Sequence, residues 1–253
     1  MNLESLAQRV DEAAENAKPI KQLSHRNAFD LDQAYEIQRL AIQRRIDRGE
    51  QLIGLKMGFT SVAKMEQMGV HDMIWGRLTD SMLIENGGKA ALSKYIHPRA
   101  EPEICFRISK DIDGEIDLKD LDEYVDGIAS AVEIIDSRFE NFKFSLEDVV
   151  ADNCSSIGVV VGDWKTPSRE ISNLKMIQSF DAEIVAEGST QAILGDPWKS
   201  LQAATRLAAK YNEPIKAGHI IMAGASTAAI FLKADSEVHV SVEKLGDVRF
   251  EVI

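Results

Sequence analysis

The sequence predicts an α+β fold, with a smaller helical N-terminal region followed by a β-rich core. The first 48 residues hold two stretches with helical spacing of apolar side chains. Most of the remaining chain alternates apolar and polar positions in short runs bounded by turn residues, and one long helical stretch interrupts it in the second half. At 253 residues and 45% hydrophobic the chain can bury a full core. No linker is long enough to separate domains, and there are no internal repeats or low-complexity tracts.

Residues 2–17 set Leu6, Val10, Ala13 and Ala14 in a narrow stripe, and Lys18-Pro19 ends that helix. Asp30 caps a second helix reaching Arg48, with Ala34, Ile37, Gln38, Ala41, Ile42 and Arg45 on one face and Gly49 as its stop. Neither helix carries a chemical cluster, so packing and assembly are their expected roles. The apolar run Leu52 to Phe59 reads as a strand with Lys56 inside it. Alternation places Lys56 on one face with Gly54 and Gly58, which leaves room for a substrate to approach the ammonium. The alternative is an edge-strand lysine whose stem carries its charge to water. Thr60 or Ser61 then caps a short helix over 62–68, and residues 73–83 form a strand or extended loop holding Trp75, Gly76, Arg77 and Asp80. Gly87-Gly88 is a turn.

Arg99 to Ile108 alternates again. Pro102, Ile104, Phe106 and Ile108 point to a core, while Glu101, Glu103, Cys105 and Arg107 share the other face. Two carboxylates roughly 7 Å apart along a strand repel unless a cation sits between them. The run Asp111 to Glu115 superficially resembles a calcium loop, but Ile116 stands where glycine is needed and Asp122 where glutamate is needed. Asp113-Gly114 reads instead as a hairpin turn, followed by a short acidic helix over 118–126. Ile128 to Asp136 is a nearly continuous apolar strand with one acid, Glu133, in its middle. A carboxylate there is costly unless it is paired or bound to a metal.

A basic-aromatic loop (139–144), a short helix (146–151) and the turn Asp152 to Ser156 lead to a strand over 157–161. Residues 176–185 alternate as one strand. Asp196 caps and Pro197 opens a helix through Tyr211, with Trp198, Leu201, Ala204, Leu207 and Ala208 as its buried stripe. The strand His219 to Met222 runs into Ala223 to Ala229, whose small side chains let backbone amides face a ligand. Val238 to Val242 and Val248 to Val252 pair through a Gly246-Asp247 turn.

The net charge of −12 disfavours nucleic acid and anionic membrane as partners. Cys105 and Cys154, in runs that read as partly buried, form no disulfide framework and no Cys-x-x-Cys motif, which fits a reducing cytoplasm. No apolar run approaches the ~18 residues of a membrane span, and the N-terminus lacks the order of a signal peptide. There is no Gly-x-Ser-x-Gly, no Walker loop and no Gly-x-Gly-x-x-Gly, and neither cysteine has a histidine nearby in sequence. His97 orients a loop or caps a strand, and His25, His71, His219 and His239 show no metal-ligand spacing. What remains is Glu101, Glu103 and Glu133 with Lys56. Three carboxylates without His or Cys suit a hard cation, Mg²⁺ or Mn²⁺, that a 2-oxo acid can chelate. Such a metal stabilises an enolate, and a lysine can donate to it or move a proton. The competing reading makes these glutamates ordinary acids on strand edges.

Three sets of residues carry a resemblance. They are Val132-Glu133-Ile134-Ile135-Asp136-Ser137-Arg138-Phe139-Glu140-Asn141-Phe142-Lys143-Phe144 with Val149 to Asn153 and Ser155-Ser156; Gly54-Leu55-Lys56-Met57-Gly58-Phe59-Thr60-Ser61 with Ala63-Lys64-Met65 and Gln67-Met68-Gly69-Val70; and His97-Pro98-Arg99-Ala100-Glu101-Pro102-Glu103 with Ala223 to Ala229. From about Asp30 to the C-terminus, in order, the chain resembles the hydratase/decarboxylase branch of the fumarylacetoacetate hydrolase superfamily. The resemblance implies a fumarylacetoacetate-hydrolase-like catalytic core over 76–253 and an N-terminal α/β region over 1–75. It implies a Mg²⁺ or Mn²⁺ site on Glu101, Glu103 and Glu133, with Lys56 as the active-site lysine. Asp80 and Ser155 fall where the related hydratases have polar active-site residues, and Cys154 stands where alanine is expected.

The implied reaction is loss of CO₂ from 2-oxohex-3-enedioate, a 2-oxo dicarboxylic acid, giving 2-hydroxypenta-2,4-dienoate in the meta-cleavage degradation of aromatic compounds. Hydration of that dienol is the nearest alternative, and a non-catalytic partner subunit of a hydratase is a more remote one. A homo-oligomer and a complex with a hydratase are further implications. Hydrolysis of an acylpyruvate would need a His-Glu pair that the sequence lacks.

Overall fold

The computed structural model describes residues 2–60, 65 and 72–253. All of the helix expected over 62–68 except residue 65, and His71, lie outside these residues. Helices α1 (Leu3–Glu15) and α2 (Leu31–Asp47) form where the periodicity places them. Asn2 caps α1, while Asp30 and Gln33 cap α2 reciprocally. The helices pack on each other, and Arg44 of α2 and Arg48 at its C-terminal cap hold the buried Asp11 of α1 at 2.7 and 2.6 Å. No helix of the described residues is long and apolar enough to cross a membrane.

The strands are β1 (Leu52–Gly58), β2 (Ile74–Thr79), β3 (Leu83–Ile84), β4 (Lys89–Ala90), β5 (Arg99–Ile108), β6 (Val125–Ile135), β7 (Ser156–Val161), β8 (Lys175–Phe180), β9 (Glu183–Ser189), β10 (Ile220–Met222), β11 (Ile230–Phe231), β12 (Ser236–Val242) and β13 (Gly246–Val252). Among the described residues they make two sheets. The larger runs β2-β1-β10-β5-β6-β7-β3, with β11 added on β5, and the smaller runs β4-β13-β12-β8-β9. β12 and β13 pack across β6, and β8 across β5. Ala100, Ile104 and Phe106 of β5 thereby join Val238, Val240, Val248 and Phe250 in one core. Among the described residues the helices α3 (Leu146–Ala151) and α4 (Pro197–Lys210) follow, and Phe106 meets Trp198 of α4 at 4.9 Å between ring centres.

Several expectations change. Residues 73–83 resolve into β2, a single turn of 3₁₀ helix and β3. The stretch 176–185 is two strands rather than one: Asp181 (φ 48°) and Ala182 (φ 68°) are both left-handed and turn the chain into a hairpin. Period-2 alternation passes through a two-residue turn undetected, because such a turn keeps the parity of both arms. Asp113-Gly114 is no tight hairpin. It lies in a long connection from β5 to β6, where Ile112 bridges Ile215 and residues 118–124 form a 3₁₀ helix. The turn before β13 falls at 243–245, with Lys244 left-handed, and Gly246-Asp247 already belongs to the strand.

β1 is flanked by β2 and β10, so Lys56 sits on an interior strand and the edge-strand reading does not hold. β2 is the edge, and Asn153 covers it. The Asn153 side chain accepts from Arg77 N at 2.7 Å and donates to Arg77 O at 2.8 Å, as a neighbouring strand would. Gln38 of α2 adds donors to Trp75 O and Val150 O. The N-terminal segment is tied to the core by Asp148, whose carboxylate accepts from Ser24 N and Ser24 Oγ at 3.0 and 2.6 Å. Replacing Asn153 by alanine strips two buried backbone groups of their partners. The expected cost is about 2–4 kcal/mol, read as a lower urea midpoint with an unchanged m-value.

Candidate active site

β5 and β6 run antiparallel with Glu101 directly opposite Glu133, two residues along from Glu103. Oxygens of the three carboxylates lie within 4.8 Å of one another. They are no surface acids: Glu103 and Glu133 are fully buried and Glu101 is 8% exposed. Lys56 reaches them from β1, which joins β5 through β10: Lys56 pairs with Met222, and Met222 with Cys105. Its Nζ lies 2.8 Å from Glu133 Oε2 and donates to Cys154 O at 3.2 Å.

Two of the remaining oxygens are held by neighbouring groups. Glu133 Oε1 accepts from Ser156 Oγ at 2.7 Å. Glu103 Oε2 accepts from Gly224 N at 2.8 Å, and Glu103 Oε1 is buried with no hydrogen-bond partner among the described residues. The small-residue run after β10 therefore uses its Gly224 amide on a glutamate rather than on a ligand. Only glycine fits there: φ is +107°, and a Cβ would stand 2.2 Å from Thr60 Oγ1. The room expected around Gly54 is also taken. A Cβ on Gly54 would meet Ile220 O at 1.8 Å, so that glycine serves the close approach of β10 rather than of a substrate.

Electrostatics explain why the cluster needs a cation. Burial, and then the negative charge of Glu133, push the Glu103 carboxyl well above the usual range. Burial also raises Glu133, although Lys56 pulls the other way. Burial works against the Lys56 ammonium, but Glu133 above all, with Glu103 and Glu101, outweighs it, and Lys56 is raised above its ordinary value. Lys56 pairs with Glu133, while the buried Glu103 beside it keeps one oxygen without a partner among the described residues. The unpartnered Glu103 oxygen and the all-oxygen donor set fit a hard divalent cation.

The turn at 153–155 has three consecutive left-handed residues, Asn153, Cys154 and Ser155, with φ of 50°, 51° and 61°. It points Cys154 O at Lys56 and places Ser155 between the partners of Lys56 and Glu133. Ser155 is buried and its Oγ has no partner among the described residues. The Cys154 thiol, expected near the pocket, is wholly buried rather than partly. It donates to Trp75 O at 3.1 Å, and burial pushes its pKa up to about 12. Asp80 is not brought to this cluster. It is exposed beyond the end of β2, where its carboxylate accepts from Gln51 N and Ser81 N. Lys56 pairs with Gly76, and four residues of extended chain separate Asp80 from that point, roughly 13 Å. His97 serves a loop: its backbone N, with that of Ile96, donates to Asp136. Asn153, Ser156 and Gly224 went unnoticed as site residues. Their only sequence signal was the crowding of short polar or small residues after a strand or helix.

The model of the fumarylacetoacetate (FAA) hydrolase C-terminal family matches residues 60–253. A 4-oxalocrotonate decarboxylase from Pseudomonas sp is 50% identical to this chain, over 99% of the chain and 98% of the relative. A 2-keto-4-pentenoate hydratase from Paraburkholderia xenovorans (strain LB400) is 32% identical, over 98% and 94%. Among solved structures, 4-oxalocrotonate decarboxylase from Pseudomonas putida G7, complexed with magnesium and adipate, superposes with a TM-score of 0.95 at 34% identity. That match covers 99% of this chain and 97% of the other. With the β5–β6 carboxylates, Lys56 and these matches in agreement, the chain belongs to the fumarylacetoacetate hydrolase family.

Proposed function

We propose that this chain is a Mg²⁺-dependent carboxy-lyase that releases CO₂ from 2-oxohex-3-enedioate and yields 2-hydroxypenta-2,4-dienoate. The observation that carries it is a buried lysine facing three buried carboxylates, one with an unpartnered oxygen, on adjoining strands of one sheet. The 50% identity to a decarboxylase against 32% to a hydratase favours loss of CO₂ over addition of water. The relative of known structure complexed with magnesium supports the choice of metal.

Glu101, Glu103 and Glu133 would hold the cation. When bound, it supplies Lewis-acid stabilisation of negative charge at the C2 oxygen of a 2-oxo acid. The C5–C6 bond breaks and C6 departs as CO₂. The electron pair forms C4=C5, the former C3=C4 pair moves to C2=C3, and the C2 oxygen gains the charge. Lys56 stands at the same cluster, with its Nζ 2.8 Å from Glu133 Oε2. It therefore offers positive charge where the electrons arrive and a proton to complete the dienol. Glu133 and Cys154 O fix the ammonium in place. Ser155 Oγ is assigned a hydrogen bond to substrate, and Asp80 is given no role. The reading extends to a homo-oligomeric cytoplasmic enzyme that passes its dienol to a hydratase, since a dienol left in water tautomerises.

The deciding assay supplies the dioate and follows CO₂, then supplies the dienol and follows its hydration. CO₂ release is expected, and hydration without CO₂ release would sink the assignment. Glu103→Gln, an isosteric change, is expected to fold and bring turnover to background. Full activity in that variant, or activity that survives exhaustive chelation, refutes the metal set. Lys56→Met is expected to lower kcat by roughly 10²–10³-fold, and an unchanged kcat removes Lys56 from the chemistry.

A further inference from the structure

The proposed reaction leaves the second carboxylate of the substrate without a partner, and the carboxylate cluster offers it only repulsion. Arg99 begins β5 and shares a face with Glu101 and Glu103 by alternation. It stands ~7 Å from Glu101 along the strand, about the length of a six-carbon chain fully extended. The opposite direction along β5 is closed by Cys105, which packs with Met222, Leu78 and Val159. Of the two directions along β5, the one toward Arg99 is left for a substrate whose head is held at the glutamates.

The guanidinium is clamped. Its centre lies 4.1 Å from the ring of Phe142 and 4.2 Å from that of Phe231. Phe231 is opposite Arg99 in the β5–β11 pairing and is 54% exposed. Phe142 is held in place by left-handed backbone at Asn141 (φ 60°) and at Phe142 itself (φ 56°). Arg99 forms no ion pair among the described residues, and its Nε is buried with no hydrogen-bond partner there. Two aromatic rings against one guanidinium hold it by cation–π attraction without using its N–H donors, which are left for a carboxylate. The ring walls also thin the water around that carboxylate.

We propose that Arg99, clamped between Phe142 and Phe231, binds the distal carboxylate and makes the site select a 2-oxo dioate over a 2-oxo monoacid. The inference rests on the reading of the glutamates and Lys56 as the head-binding end. It makes Arg99 a binding and specificity residue: its contact exists before the C–C bond breaks, and the electrons released travel to the other end. Its loss therefore falls mainly on KM rather than on kcat.

The test compares 2-oxoadipate with 2-oxohexanoate, two ligands with the same head and chain but different tails, by calorimetric titration into Mg²⁺-loaded protein. Wild type is expected to bind 2-oxoadipate more tightly. Arg99→Met should weaken 2-oxoadipate on the order of 30-fold and leave 2-oxohexanoate within about threefold of wild type, with the KM for the dioate raised to match. Arg99→Lys should keep part of the preference. Phe231→Ala, at a position 54% exposed, should lose the preference several-fold through a looser guanidinium. The proposal is overturned if Arg99→Met weakens both ligands equally, or if it retains the full preference for 2-oxoadipate. It is also overturned if neither ligand binds the loaded wild-type protein. A wild type that releases no CO₂ yet prefers 2-oxoadipate through Arg99 refutes the decarboxylase reading and leaves this proposal standing. CO₂ release with no Arg99-dependent preference does the reverse.

Discussion

The contact between Lys56 and Glu133 is the interaction on which the rest of the site depends. Both groups are out of water, and neither would stay charged there alone. The pair joins β1 to β6 across two intervening strands, so it holds only if β10 and β5 bring those strands into register. Buried ion pairs are weak contributors to stability, because desolvation offsets most of their attraction. This one is better understood as a positioning device. It fixes an ammonium beside Glu103, whose buried Oε1 has no hydrogen-bond partner among the described residues.

The polar turn after α3 supports that pair from below. Asn153, Cys154 and Ser155 adopt three left-handed conformations in a row, which L-residues avoid. The segment is over-determined by its neighbours. The Asn153 amide pairs with the edge of β2, Cys154 O receives Lys56, and Ser155 O accepts from Asp136 N. Asp152 forms a buried ion pair with Arg138. Asp136, in turn, carries the backbone of Ile96 and His97, from which Arg99 and the glutamate strand start. The two ends of the proposed substrate thus hang from one buried polar network, and displacing the 152–155 turn would disturb the lysine and the start of β5 together.

Much of this was legible in the chain. The alternation of β5 is enough to put Glu101 and Glu103 on one face. A lone acid in the apolar run of β6 and a lone lysine in that of β1 announce that something must compensate each of them. The helix caps Asp30 and Asp196 are local signals, read within a few residues of where they act. Less was legible where alternation continues through a two-residue turn, as at Asp181-Ala182. Glycine was misread where its purpose is a distant strand: Gly54 yields to Ile220 and Gly224 to Thr60. Nothing local to either glycine names that neighbour.

The sequence by itself determined the inventory: three glutamates, one lysine, no competing nucleophile, and the strand and helix periods that carry them. Periodicity and composition are local quantities, and they sufficed for this. Tertiary structure alone decided that Glu101 faces Glu133 in register, that Lys56 lies on an interior strand and reaches Glu133, and that Asp80 points into solvent. It also set Arg99 between two phenyl rings drawn from residues 142 and 231. Those facts depend on which strands are neighbours. Strand order is fixed by non-local burial and pairing, which no single stretch of chain encodes.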